Sequence, residues 1–526
     1  MKRPHRTTAV LAGALAAGLL LGGCGAGGER SATDHREAAP LVPDGSSATA
    51  APAPVVGVGA DEVAPEGERR APSPAPDYLS TFALDVDTAS YGYARRSLAD
   101  GRLPDPATVR PEEFVNSFRP DYPRPADDGF SVTVDGARTG AEGWSLVRVG
   151  LATRGADRTG ERPPAALTFV VDVSGSMGEP GRLDLVRHAL GLAADGLRDD
   201  DSVALVAFSD EAETLLPMTR LGDARHRVRE AVDSLAVRSS TNLEAGLRTG
   251  YDVAAEGHRE GATNRVVLLS DALANTGETA ADALLGHIDA QRREHGITLF
   301  GVGVGSEYGD ELMERLADKG DGQTTYVSTR DQARKVFVDQ LPAQVELRAR
   351  DAKAQVAFDK ETVERFRLIG YENREVADED FRDDRVDGGE VGAGHTVTAL
   401  YVVKTRPGAS GPIATATVRW LDPDSRSPQE RSGTVASGAL AAGLWESGHD
   451  SLRLSAISAY FAEELRGGSL PGAPRLGELA GYADSIRARS GSAVVGELAE
   501  AVRQADRLIG ERPSGEGEFR SSDPYA

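Results

Sequence analysis

Val170-Val171-Asp172-Val173-Ser174-Gly175-Ser176-Met177 is an apolar run that reads as a buried strand and ends in an Asp-x-Ser-x-Ser loop. One carboxylate and two hydroxyls on a tight loop offer a cation only oxygen atoms, the ligands that Mg²⁺ and Ca²⁺ take. The set is incomplete on its own. Mg²⁺ held there keeps several waters unless other residues or a partner supply the missing ligands. Two elements downstream arrive in the order needed to complete it. Asp271 closes a second apolar run, Val266-Val267-Leu268-Leu269-Ser270. Thr241 stands in Arg238-Ser239-Ser240-Thr241-Asn242-Leu243, just ahead of a helical stretch with Leu243 and Leu247 four apart.

Around these residues, short apolar runs alternate with helical patterns. From Arg182 to Leu197, Leu183, Val186, Ala189, Leu190 and Ala193 recur at helical spacing, and a further strand is expected from Ile297 to Val304. Strands alternating with helices predict an α/β fold built on a doubly wound, mainly parallel sheet. Ligands of such sheets bind outside the carboxyl ends of the strands, where Asp172, Ser174, Ser176, Thr241 and Asp271 would all fall.

On these residues the segment from about Ala165 to Leu341 resembles a von Willebrand factor type A (VWA) domain with a metal-ion-dependent adhesion site. The resemblance implies that Ser174, Ser176 and Thr241 touch the metal through hydroxyls, while Asp172 and Asp271 hold it directly or through water. Neutral hydroxyls leave most of the cation's charge in place, so the vacant position favours an anionic oxygen from a partner. The chain departs from the common pattern in two places. Ala272 follows the distal Asp where many relatives have Gly, and Arg238-Ser239-Ser240 replaces a Gly-Gly-Ser lead into the Thr. Ala costs more than Gly wherever φ is positive.

The flanks are similar to those of the bacterial YfbK-like lipoproteins. Upstream these are Leu84-Asp85-Val86-Asp87-Thr88-Ala89-Ser90-Tyr91, Gly101-Arg102-Leu103-Pro104 and Arg110-Pro111-Glu112-Glu113-Phe114-Val115-Asn116. Downstream they are Arg367-Leu368-Ile369-Gly370-Tyr371-Glu372-Asn373-Arg374, Asp380-Phe381 and Gly392-Ala393-Gly394-His395-Thr396-Val397-Thr398-Ala399-Leu400-Tyr401. The expected organisation is a signal segment 1–23, a lipidated Cys24 with a linker to 76, an N-terminal flank 77–160, the VWA domain 161–341, a C-terminal flanking domain 342–510 and a tail 511–526. The flanks are expected to be β-rich or α+β. Strands are expected at Phe130 to Val134, Trp144 to Leu151, Val345 to Phe358, Thr396 to Val403 and Ala414 to Trp420, with an amphipathic helix at Leu452 to Leu465. Strands before and after the VWA segment are expected to pair into one domain with the VWA domain inserted between them. Thr329 to Leu341 is expected as the last VWA helix, burying Val336, Phe337 and Leu341. Its position could respond to occupancy of the metal site.

Lys2, Arg3 and Arg6 precede an apolar stretch from Ala9 to Leu21, and Leu21-Gly22-Gly23-Cys24 reads as a lipobox. The expectation is cleavage before Cys24 and a lipid anchor on the extracytoplasmic face of the cell membrane. The apolar stretch is short for a membrane-spanning helix. Residues 25 to 76, rich in Ala, Pro, Gly and Ser, read as a disordered tether.

Cys24 is the single cysteine and is expected to be consumed by lipid, which excludes intramolecular disulfides, catalytic thiols and cysteine-based zinc sites. The nine histidines show no His-Glu-x-x-His pair. A net charge of −23 argues against nucleic acid as a partner, since phosphate binding needs a concentrated basic surface. Gly301-Val302-Gly303-Val304-Gly305 carries Ser306 where a dinucleotide loop needs its third Gly, and no Walker A sequence occurs, so no nucleotide is expected. Asp85-Val86-Asp87 reads as a strand end followed by a helix cap. The function expected is that of a non-enzymatic, membrane-anchored module that binds an acidic group of a protein or polymer through Mg²⁺, Ca²⁺ or Mn²⁺. The alternative is an assembly or sensory subunit acting through its flanks, with the metal site structural or vestigial.

Overall fold

The computed structural model describes residues 78–510, apart from 85–86, 156–161, 272–285, 292–293, 306–312, 314–315, 317–322, 342–344, 387 and 424. The expected signal segment, Cys24, the linker, the tail and Ala272 lie outside the described residues.

The chain enters through β1 (Leu79–Ala83), α1 (Ala89–Ala99) and α2 (Pro111–Asn116), then a hairpin of β2 (Phe130–Arg138) and β3 (Trp144–Thr153). Next comes the VWA segment: β4 (Ala165–Asp172), α3 (Leu183–Gly196), β5 (Ser202–Phe208), β6 (Ala212–Arg220), α4 (Arg225–Ser234), α5 (Leu243–Glu256), β7 (Thr263–Ser270), β8 (Thr298–Val304), β9 (Gln323–Val327) and α6 (Arg330–Arg334). Its six strands lie in the order β6-β5-β4-β7-β8-β9, every neighbouring pair parallel except β5 with β6. Every residue of β4, β5, β7 and β8 is buried, as continuous apolar strands between two helical layers must be. Leu183, Val186, Ala189, Leu190 and Ala193 of α3 pack on one face, together with Val336, Phe337 and Leu341. The other face carries α5 through Leu243, Leu247 and Tyr251.

Helix α5 seats unusually close to the sheet. A Cβ at Gly246 would lie 2.5 Å from the Phe208 ring, and one at Gly250 would lie 2.3 Å from a Val170 methyl. Bare glycine faces let the helix touch β4 and β5, which fixes the loop holding Thr241 at its entrance. Asn242 caps that entrance by accepting from Ala245 N–H at 3.0 Å. Beyond β9 the last helix is not uniform. The Thr329 hydroxyl caps α6, but Lys335–Gln340 continues as π-helix, whose wider i→i+5 turns still keep Val336 and Phe337 in the core.

The chain then forms β10 (Leu347–Phe358), β11 (Val363–Leu368), β12 (Gly389–Gly392), β13 (Thr396–Thr405), β14 (Pro412–Leu421) and β15 (Pro428–Ala436), and finishes with α7 (Asp450–Leu465), α8 (Leu476–Ser490) and α9 (Ala493–Gly510). Strands from both flanks pair directly. β1 lies against β10, with Phe82 opposite Ala354, and β3 lies against β13, with Val149 opposite Ala399. One sheet runs β1-β10-β14-β15 with β12 added on β10, and the other runs β11-β13-β3-β2. Phe82, Phe130, Val147, Val356 and Tyr401 fill the space between them. On the outer side of the second sheet, Trp144, Leu146, Leu400 and Val402 meet α1, α2 and the three C-terminal helices. The VWA segment is therefore an insertion between two halves of a β/β/α domain.

Several sequence motifs of the flanks serve as ties. Asn116 bonds the β13 backbone twice, donating to Thr398 O at 3.0 Å and accepting from Thr398 N–H at 2.8 Å. Glu113 accepts from Ser90 N–H at 2.8 Å and so helps to start α1. Asp87, between the end of β1 and the start of α1, reaches well beyond its own flank: its carboxylate accepts from Thr324 N–H of β9 at 2.5 Å and from Arg374 at 3.2 Å. Buried Asp87 thus joins the N-terminal flank, the VWA sheet and the C-terminal flank at one point. Arg265 of β7 reaches Glu390 of β12 at 3.1 Å, a second link between the inserted domain and its host.

Candidate metal centre

Because β4 and β7 are parallel neighbours, the loops that follow them emerge at the same edge of the sheet. Asp172 ends β4 with no exposed surface. Its carboxylate accepts from the Ser270 hydroxyl at 2.6 Å and from Ser174 N–H at 2.8 Å. Ser174 Oγ and Ser176 Oγ stand 3.1 Å apart, and the Ser176 hydroxyl donates to Asp271 Oδ1 at 2.9 Å. The single Ser176 proton points to Asp271, so Ser174 must donate within the serine pair. The result is a directed chain from Ser174 through Ser176 to Asp271.

Four of the five residues expected from the sequence are therefore joined by hydrogen bonds, with Asp172 and Asp271 at the two ends. Thr241 is brought to the same edge without joining the chain. Its loop is pinned on either side by Arg238 N–H to Val173 O at 2.6 Å and Asn242 N–H to Ser209 O at 2.5 Å, with Ser240 in the left-handed region at φ 69°. Thr241 is half-buried, and its hydroxyl bonds none of the other four.

Sequence reasoning missed Arg182, which it read only as the start of a helical stretch. The Arg182 side chain is 7% exposed and donates to Asp271 Oδ2 at 2.6 Å and to Ser176 O at 3.2 Å. The signal available was a basic residue after Gly181, whose φ of 86° turns the chain back over the loop.

Burial pushes the Asp172 carboxyl above its ordinary range, against the hydrogen bonds from Ser270 and Ser174, and the nearby charge of Asp271 adds to the rise. Among the described residues no cationic side chain bonds Asp172, and no three His, Cys, Asp or Glu side chains cluster. A buried anion without a counter-charge is costly. A divalent cation bound by Asp172, the serine hydroxyls and, through water or directly, Asp271 and Thr241 would supply that charge. The donors are all hard oxygens, which suits Mg²⁺, Ca²⁺ or Mn²⁺ and not a thiophilic metal. The residues fit the ion. A cavity of about 570 Å³ lies elsewhere, against α1, β9, α6 and the turn before β13, and shares no lining residue with the Asp172 loop.

The sheet order and the aspartate-serine loop define a von Willebrand factor type A domain, and residues 166–340 match the profile of that domain. Residues 345–411 match a second profile, described as the C-terminal region of uncharacterized protein YfbK, and 61–145 match one described as von Willebrand factor. Uncharacterized protein YfbK of Escherichia coli (strain K12) is 33% identical over 414 residues, which cover 74% of this chain and 71% of that protein. The chain belongs to the YfbK family. An uncharacterized protein of Synechocystis sp. is 28% identical over 193 residues, 36% of this chain and 44% of its own length. Among solved structures, a von Willebrand factor type A protein from Catenulispora acidiphila shares 15% identity, with 71% of this chain and 89% of that one covered at a TM-score of 0.44.

Proposed function

We propose that this protein is a non-catalytic binding module that captures an acidic group of a protein or polymer through a divalent cation held by Asp172, Ser174, Ser176, Thr241 and Asp271. One observation carries the reading: Asp172, Ser174, Ser176 and Asp271 converge at the carboxyl edge of the sheet around a buried carboxylate to which no counter-charge is bonded among the described residues. A cation there neutralises Asp172 and offers its vacant position outward, where the partly exposed Ser176 and Thr241 mark the surface. Poly-glutamate immobilised on a sensor surface is expected to retain the protein in Mg²⁺ and to release it on chelation. Retention that is unchanged by chelator would overturn the metal-dependent reading.

Display at the cell membrane follows in this reading from lipid on Cys24, with the linker to residue 76 as tether. Cys24→Ala is expected to move the protein from the membrane fraction to the soluble fraction of the cells that make it. Full retention in the membrane fraction would point instead to an uncleaved signal anchor. Assembly through the flanks has one observation in its favour. Asp87, Asn116 and Arg265 tie the inserted domain and both flanks together, so a partner gripping the flanks would also hold the metal loop.

A further inference from the structure

Among the described residues only two large apolar side chains are exposed, and one of them, Val237 at 44%, stands at the rim of the metal centre. It lies on the loop that leads from α4 to Thr241. That loop is fastened at one end by buried Leu235, whose carbonyl accepts from Arg187, and further on by the bond from Arg238 N–H to Val173 O at 2.6 Å. Val173 directly follows Asp172, so Val237 is held against the Asp-x-Ser-x-Ser loop itself. The two loops meet at a bare glycine. A Cβ at Gly178, two residues past Ser176, would stand 3.4 and 3.5 Å from the two Val237 methyls. Pro180 and Ala236, next along the two loops, are exposed as well, and Arg238 gives its guanidinium to Glu213 of β6 at 2.8 Å. The surface beside the Ser176 hydroxyl is therefore apolar at Gly178, Pro180, Ala236 and Val237.

Resting on the metal-binding reading, we infer that Val237 sets which acidic partners the site takes: an extended peptide whose Asp or Glu meets the cation while an apolar side chain two positions away covers Val237. In an extended chain, side chains two positions apart project from the same face ~7 Å from each other. A carboxylate at the cation therefore brings its neighbour on that face onto the surrounding rim. The carboxylate alone reports only charge, and every acidic polymer offers one. Contact with Val237 separates an acid near an apolar residue from an acid in a wholly polar run. Covering the exposed part of Val237 together with the side chain that meets it removes apolar surface from water, which favours such a peptide roughly fivefold. A Val237 that only holds the loop would act differently, since its loss would disturb Thr241 and weaken metal and every acidic ligand alike.

The test is inhibition of Mg²⁺-dependent retention of the full chain on immobilised poly-glutamate by two blocked pentapeptides. Each has a central Glu between two glycines, and the ends are both Leu in one peptide and both Gly in the other. The leucine peptide is expected to inhibit the unmodified chain at a roughly fivefold lower concentration than the glycine peptide, and to inhibit V237S at about the same concentration. Mg²⁺ affinity and inhibition by the glycine peptide are expected to be the same in both proteins. V237T, which keeps the shape of the side chain and adds a hydroxyl, is expected to lose most of the preference, and it decides the matter should V237S fail to fold. No leucine preference in the unmodified chain, or a preference that the variants retain, would overturn the inference while leaving the metal site standing. A parallel loss of Mg²⁺ affinity and of both peptides would assign Val237 a structural role and overturn it as well. Retention indifferent to chelator would remove the metal reading itself, and the inference with it.

Discussion

Asp172→Asn is expected to lower divalent-cation affinity at least about a hundredfold while leaving the fold intact. The substitution removes the charge that a hard cation needs and keeps the shape of the side chain. The amide oxygen can still accept from Ser174 N–H, and its NH₂ can donate to the Ser270 hydroxyl, which rotates to receive it. Without metal, the variant should be as stable as the unmodified chain or more so, because it no longer buries a carboxylate to which no counter-charge is bonded among the described residues. The two chains part company when metal is added. Mg²⁺ at about a hundred times its dissociation constant stabilises the unmodified chain by about 2.7 kcal/mol through mass action, and the variant by no more than about 0.4 kcal/mol. Thermal unfolding scanned with and without Mg²⁺ reads this difference. A melting shift shared by both proteins would place the bound ion somewhere other than the Asp172 loop.

A loss of stability independent of metal is expected from Asp201→Ala, at the opposite edge of the same sheet. Asp201 has no exposed surface and takes two hydrogen bonds from Arg162, at 2.9 and 2.6 Å, with two more from the backbone N–H groups of Ala165 and Arg198, at 2.8 and 2.7 Å. The carboxylate thereby fixes the start of β4 relative to the turn that leads into β5. Removing it strands a largely buried guanidinium, a change that costs about 3–5 kcal/mol. The dependence on pH follows from the direction of its shift. Burial alone would raise the Asp201 carboxyl, but the bond from Arg162 and those from Ala165 and Arg198 outweigh it and hold the group below its ordinary range. A depressed folded value means that the stabilisation is complete above the unfolded value of about 3.9 and is lost as pH falls through the folded value. Urea unfolding is therefore expected to separate the unmodified chain from Asp201→Ala widely at neutral pH and less in strong acid. A gap that widened on acidification would contradict this assignment.

Strands β4 and β7 were legible because each is an apolar run closed by an Asp. Helix α3 was legible because its apolar residues recur at helical spacing. What decided the rest lies between segments far apart in the chain. That strands of the two flanks pair across the inserted domain was expected from the sequence and is found, but nothing local shows that β1 meets β10 or that β3 meets β13. The sequence placed Asp87 between a strand end and a helix start, but its distant partners Thr324 and Arg374 were out of view. At the metal centre, residue type and spacing revealed the oxygen donors but not Arg182. An arginine at the start of a helix reads as solvated until Asp271 is seen to meet it. The close approach of α5 was equally hidden, since glycines within a helical pattern argue against the helix unless Phe208 and Val170 are known to lie beneath them.

The most direct measurement is calorimetric titration of Mg²⁺, in the presence of acetate, into the full chain and into Asp172→Asn. Saturable binding at one site per chain, absent from the variant, is the predicted result. Equal binding by both proteins, or none by the unmodified chain, would contradict a cation held by the Asp172 loop.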